Sequence, residues 1–248
     1  MNLSRFQGKR TLVFGGASGL GAATAERLMA EGAKVAIADR QFRPEDTPIG
    51  PLQFTCDIRD AASVEQTVTA ARTALGDLDV VVNSVGVHRD GTAMSTTEPE
   101  WDGLIDVNLS GAFRIGRAVL PRMCERRSGV VVHIASDAGI VAWPGQVSYS
   151  AAKAGVVHLT KAQAVDVAPF GVRVNCICPS FADTPMIRRW AAEQDDPEAA
   201  LADAALLQPM GRLAKPSEIA GAIAYLASDE ADFVTGVALR VDGGICAQ

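Results

Sequence analysis

The sequence predicts an α/β fold: a doubly wound, mainly parallel seven-stranded sheet with helices on both faces. Three observations carry that expectation. Seven short runs rich in β-branched residues recur along the 248-residue chain. Longer helical patterns separate them. The runs are apolar throughout instead of alternating, as strands covered on both faces are.

Residues 10–14 (RTLVF) form the first strand, followed by a glycine-rich turn and a helix over 20–30. Residues 34–38 (KVAIA) are the second strand, and 40–51, with Pro44, Pro48 and Pro51, are a loop. A short third strand spans 52–55, a helix 60–75 and a fourth strand 78–82. One long helix is expected over 98–126, with Pro99 in its first turn, where a missing N–H is harmless. The fifth strand covers 129–135, a helix 148–168 ends at Pro169, and the sixth strand covers 172–177. A helix over 216–227 and a last strand over 237–241 complete the series. No linker, repeat or low-complexity tract divides residues 1–248, so one domain is expected. Residues 179–215 are too long for a plain connection and are expected to form a lid over a binding site, with Asp196-Pro197-Glu198 starting a short alanine-rich helix.

Composition narrows the function. Hydrophobic residues make up 48% and charged residues 21%, which excludes wholesale disorder. The net charge of −6 argues against nucleic acid and anionic membrane surfaces as partners. The longest apolar runs, such as Val80-Val81-Val82, fall far short of the about 20 residues of a spanning helix. Residues 1–10 are polar and lack a secretory core. The five cysteines, at 56, 124, 176, 178 and 246, are odd in number, and Cys176-x-Cys178 is too tight for structural zinc. They are expected to be reduced thiols of a cytoplasmic protein that holds no metal.

Two local features carry chemistry. Gly15-Gly16-Ala17-Ser18-Gly19-Leu20-Gly21 lies between a strand and a helix. There glycines allow a sharp turn and the helix N-terminus favours a phosphate. Asp39 follows Gly19 by 20 residues at the end of the second strand, where a carboxylate accepts hydrogen bonds from an adenosine ribose and repels a 2′-phosphate. NAD is therefore expected over NADP, although the neighbouring Arg40 could tolerate a phosphate. The second feature is Tyr149 and Lys153, at i and i+4 on one helix face. A lysine ammonium beside the phenol is expected to lower its pKa and make it a usable acid or base. Alone, such a pair more often means surface packing.

Taken together these residues closely resemble the classical short-chain dehydrogenases/reductases, from Arg10 to Gly244. The glycine turn matches the family's Thr-Gly-x-x-x-Gly-x-Gly, with Phe14 in place of the threonine. Asp57-Ile58 resembles the pair that contacts adenine, and Asn83-Ser84-Val85-Gly86 stands where the family has Asn-Asn-Ala-Gly. Asn108 fits the structural and proton-relay asparagine, and Ser136 precedes Tyr149 by 13 residues, as the catalytic serine does. Residues Pro179 to Thr184 stand for Pro-Gly-x-x-x-Thr, with Ser180 replacing the glycine and Phe181 following it. Val241-Asp242-Gly243-Gly244 is the usual ending.

The resemblance implies a Rossmann-type fold and hydride transfer between a nicotinamide and a secondary alcohol or ketone. Tyr149 would move the hydroxyl proton, and Ser136 would orient the substrate oxygen. Lys153 would tune Tyr149 and bond the nicotinamide ribose, and Asn108 would hold a water linking Lys153 to solvent. The cofactor-binding set is Gly15, Ser18, Gly19, Leu20, Gly21, Asp39, Asp57, Ile58, Asn83, Val85, Gly86, Tyr149, Lys153, Pro179, Phe181 and Thr184. Specificity is expected from 88–95, 137–146 and the lid. There Trp143 and Trp190 could form walls, Arg188 or Arg189 could meet an anionic group, and Asp137 could offer an acceptor. A homotetramer is expected through the 148–168 and 98–126 helices and the last strand. Two other readings stay open. One is an NADPH-dependent ketone or 3-oxoacyl-carrier-protein reductase, which Asp39 opposes and Arg40 favours. The other is an NAD-binding scaffold or sensor without turnover, disfavoured because Asn108, Ser136, Tyr149 and Lys153 are all present.

Overall fold

The computed structural model describes residues 4–43 and 50–247, so part of the predicted 40–51 loop lies outside the described residues. Seven strands form one sheet: β1 (Arg10–Phe14), β2 (Lys34–Asp39), β3 (Leu52–Thr55), β4 (Val80–Asn83), β5 (Gly129–Ile134), β6 (Val172–Pro179) and β7 (Ala238–Val241). Their order is β3-β2-β1-β4-β5-β6-β7 and every pairing is parallel. The chain runs outward from β1 to β3, then returns to start β4 on the other edge of β1. At such a reversal the flanking connections diverge and open a crevice beyond the carboxyl ends of the strands.

Both faces are covered, which is why the strands need no polar alternation. On one face Val13, Ile37 and Val82 pack under α1 (Gly19–Ala30) and α8 (Pro216–Ala227), through Leu28, Ile219 and Ile223. On the other, Leu12, Phe14 and Val81 pack under α2 (Ala61–Leu75), α4 (Gly111–Arg126) and α5 (Val147–Val167), through Val68, Ile115 and Ala164. Phe14, where the resembled family has threonine, is a fully buried core residue.

The long helix expected over 98–126 is interrupted. α3 (Glu98–Ile105) gives way to a π-helical turn over Asp106–Ser110 before α4 begins. The widened turn carries Asn108, whose side chain bonds backbone instead of facing solvent, and such turns concentrate at functional sites. The 179–215 segment holds two helices, α6 (Pro185–Ala192) and α7 (Pro197–Leu206). α7 starts as expected, with the Asp196 carboxylate accepting from the N–H groups of Glu198 and Ala199. α6 was not foreseen; its signal was Thr184-Pro185, an N-cap followed by a first-turn proline.

Candidate active site

One cleft of about 1330 Å³ opens at the carboxyl ends of β1, β4 and β5. Its two ends are built differently. At the first end, β1 turns sharply into α1. Gly15 holds φ +73°, and a Cβ there would sit 2.7 Å from the Ser84 backbone, so only glycine lets the turn lie against the β4 loop. A Cβ on Gly21 would stand 2.0 Å from the Gly15 carbonyl oxygen. Ser18 occupies the N-cap in extended geometry, yet its hydroxyl makes no capping bond. The first-turn N–H groups of α1 therefore stay uncapped beside the cleft, where an anion is favoured. Gly15, Ser18, Gly19 and Leu20 all line the cleft.

Asp39 ends β2 and ties the turn to the sheet: Oδ2 accepts from the Ala17 N–H at 3.2 Å and Oδ1 from the Arg40 N–H at 2.7 Å. Asp57 also lines the cleft, gripped through both oxygens by Arg59, whose hydrogen bonds hold its pKa down at about 2. Ile58 is buried, with one edge on the cleft and another against Gly111.

Three residues expected at the site stand behind its wall. Gly21 packs inside the turn. The Asn83 side chain accepts from the Val85 N–H at 3.2 Å and lies 3.4 Å from His133 Nδ1, so it braces the loop that presents Val85 and Gly86. Asn108 accepts from the Val87 N–H at 3.2 Å and donates to the carbonyls of Val87 and Leu104 at 3.0 Å. These bonds commit both of its amide hydrogens to backbone carbonyls, so the side chain is a brace for the β4 loop. A Cβ on Gly86 would stand 3.1 Å from its Oδ1 and 3.3 Å from the Lys153 ammonium.

The second end carries the titratable groups. Ser136 follows β5; its hydroxyl donates to Asp137 Oδ1 at 2.8 Å and accepts from the Ala138 N–H at 3.2 Å. Tyr149 and Lys153 project from the first turns of α5. Lys153 is buried and donates to the Ile134 carbonyl at 2.9 Å, with its ammonium 5.6 Å from the Tyr149 ring centre. For the protein alone, no contribution of Lys153 to the phenol's shift is resolved. Burial pushes Tyr149 up to about 12, against a hydrogen bond with Ser136 that pulls it down, and the Asp137 charge adds to the rise. Burial pulls Lys153 down to about 8. Desolvation is the leading cause of both shifts, and neither draws a resolved contribution from the other group.

His88 was not singled out by sequence; it packs edge-on against Tyr149 at 4.9 Å, and burial lowers its pKa. Of the residues of 179–215, Pro179, Phe181 and Thr184 line the cleft, and Gly19 faces Thr184 with a Cβ clearance of 3.6 Å. Trp143 meets Phe181 edge-on at 5.8 Å, and the Trp190 indole N–H donates to Asp90 at 3.0 Å. Arg188 pairs with Asp183, so of the two adjacent arginines only Arg189 lines the cleft.

Comparisons with known proteins agree with this geometry. The enoyl-(acyl carrier protein) reductase family profile matches residues 15–246. The 3-oxoacyl-(acyl-carrier-protein) reductase FabG of Thermotoga maritima is 36% identical over 249 residues, covering 97% of this chain and 99% of that protein. The ligand-free aldohexose dehydrogenase of Thermoplasma acidophilum matches with a TM-score of 0.93 at 32% identity, covering 100% of this chain and 97% of its own. Levodione reductase matches at 0.91 with 34% identity, covering 98% and 99%.

Proposed function

Because the chain belongs to the classical short-chain dehydrogenase/reductase family of oxidoreductases, we propose that it interconverts a secondary alcohol and a ketone with NAD, using Tyr149 as general acid and base. The observation that carries this reading is the shared cleft, which joins an uncapped glycine turn and Asp39 at one end to Ser136, Tyr149 and Lys153 at the other.

A dinucleotide fits the residues present. Gly15 lets the turn lie against the β4 loop, Gly19 faces Thr184 beside the cleft, the α1 N-terminus offers uncapped donors to a pyrophosphate, and Asp39 offers a carboxylate to a ribose. Val85, Gly86, Pro179, Phe181 and Thr184 would flank the nicotinamide. When bound, the nicotinamide supplies the hydride chemistry. The chain's own groups handle the proton and the geometry. Tyr149 takes the carbinol proton in oxidation and returns it in reduction. Its high pKa favours the protonated donor in the protein alone, so base function needs added positive charge nearby. Lys153, anchored on the Ile134 carbonyl, supplies such charge when protonated. Ser136 holds the substrate oxygen beside Tyr149.

A second reading, an NADPH-dependent 3-oxoacyl reductase, is favoured by the exposed Arg40 next to Asp39 and by the name of the Thermotoga relative. Initial rates on a panel of secondary alcohols and ketones with each cofactor separate the two. Higher kcat/KM with NAD is expected; a clear NADP preference overturns the cofactor assignment, and no turnover with either overturns the activity. Further, we take the chain to be a cytoplasmic homotetramer. Its five cysteines are unbridged, and Phe113 of α4 and Val165 of α5 expose apolar side chains. Light scattering giving a monomer mass would overturn the assembly.

A further inference from the structure

Resting on the proposed alcohol–ketone chemistry, a pair of idle polar atoms in the cleft wall narrows the substrate. Asp137 is 5% exposed. Its Oδ1 is fully engaged, accepting at 2.8 Å from both the Ser136 hydroxyl and the Ala138 N–H. Its Oδ2 is enclosed and has no hydrogen-bond partner, and the Ser180 hydroxyl is enclosed and unpartnered as well. Both residues line the cleft, and the Ser180 hydroxyl and Trp143 indole stand at the margin of hydrogen-bonding reach of this carboxyl, near enough to lower its pKa but without meeting full hydrogen-bond geometry at Oδ2. Leaving a buried carboxylate oxygen and a buried hydroxyl idle is costly, and native structures rarely do so without a reason.

We propose that Asp137 and Ser180 form a recognition site for a second hydroxyl of the substrate, on a carbon next to the reacting carbinol. A hydroxyl is both donor and acceptor, so one group satisfies both idle atoms: it donates to Asp137 Oδ2 and accepts from Ser180. An anionic group would face the carboxylate and be repelled, and a hydrocarbon would leave both atoms unpaired. The position follows from connectivity. The reacting oxygen lies against Ser136, and Ser136 lies 2.8 Å from Oδ1 of the same carboxyl whose other oxygen is idle. A hydroxyl on the neighbouring carbon spans that short separation. The indole of Trp143 stands beside the carboxyl and edge-on to Phe181, so entry of the second hydroxyl requires this ring to move aside. The substrate class is thus a vicinal diol or its α-hydroxyketone, such as a polyol or reducing-sugar derivative.

The test is a matched pair: sec-butanol against its vicinal diol, and cyclohexanol against its vicinal diol, each with NAD and NADP. In the wild-type protein kcat/KM for the diol is expected to exceed that for the mono-alcohol about tenfold or more, since a site built around a hydroxyl rejects the analogue lacking it. Asp137→Asn and, independently, Ser180→Ala are expected to bring that ratio toward unity, whatever they do to the absolute rates. Equal kcat/KM for diol and mono-alcohol in the wild type overturns the proposal without touching the oxidoreductase reading. So does Asp137→Asn lowering both substrates by one factor, which would leave Asp137 only as a support for Ser136. A wild-type preference for a vicinal amino alcohol over the diol overturns the hydroxyl assignment. No turnover of any of these compounds or their ketones with either cofactor sinks the oxidoreductase reading, and this inference with it.

Discussion

Strand β5 feeds two buried polar clusters, and they differ in one respect. At His133 every valence is met: Nε2 lies 3.0 Å from the Gln163 amide oxygen and Nδ1 3.4 Å from the Asn83 amide nitrogen, so one neutral tautomer satisfies both. Three residues later the cluster of Ser136, Asp137, Tyr149 and Lys153 is left incomplete. Asp137 Oδ2 is idle, and the phenol and ammonium are both pushed toward their neutral forms by burial. A closed network holds strands together. An open one, lining a cleft, is held ready for a group that arrives from outside.

The comparison breaks first at Tyr149. Tyr149→Phe keeps the ring and removes the proton, so steady-state turnover is expected to fall by about a thousandfold or more while cofactor binding, followed by fluorescence titration, is retained. An unchanged rate would make the open cluster structural after all.

His133 tests the closed cluster through pH. Burial lowers its pKa from 6.5 to about 4 in the folded chain. Between those values the unfolded chain binds more protons than the folded one. Stability is therefore expected to fall as pH drops from the upper value toward the lower, by on the order of a few kcal/mol, and this contribution is constant above the upper value. Urea midpoints measured across that window check the slope, and His133→Gln is expected to flatten it. A pH-independent midpoint in the wild type would mean that His133 accepts a proton without cost.

A smaller effect is expected at the glycine-turn end. Asp39→Asn removes the charge that opposes a 2′-phosphate, and the NADP-to-NAD ratio of kcat/KM is expected to rise about tenfold. A ratio that stays put would assign cofactor choice to Arg40 or its neighbours. The smallest concerns the tie between α6 and the β4 loop. Trp190→Phe deletes the bond to Asp90, which is exposed, so a rise in substrate KM of a few-fold with little change in kcat is expected. A large loss of kcat would show that α6 also aligns the reacting groups.

Much of this was legible along the chain. Runs rich in apolar residues marked the strands, and Asp196 marked a helix start by its capping chemistry. Spacing put Tyr149 and Lys153 on one helix face, and the family resemblance joined Ser136 to them. What escaped was local in another way. The π turn around Asn108 leaves the helical period nearly intact, so no pattern of apolar residues announces it. Gly21, Asn83 and Asn108 belong to the site's motifs, yet they brace its wall from behind, a difference that depends on which way a side chain faces after folding.

Periodicity, caps and motif spacing are relations between residues near one another in the chain, and these determined the strands and most of the helices, while the motifs' resemblance to a known family identified the candidate reacting groups. Charge states and idle valences depend on what comes to lie alongside from distant segments. Only the tertiary structure decided that burial leads the shifts of Tyr149 and Lys153, that Arg188 is spent on Asp183, and that Asp137 holds one oxygen without a partner, because desolvation and hydrogen bonding are set by packing in three dimensions.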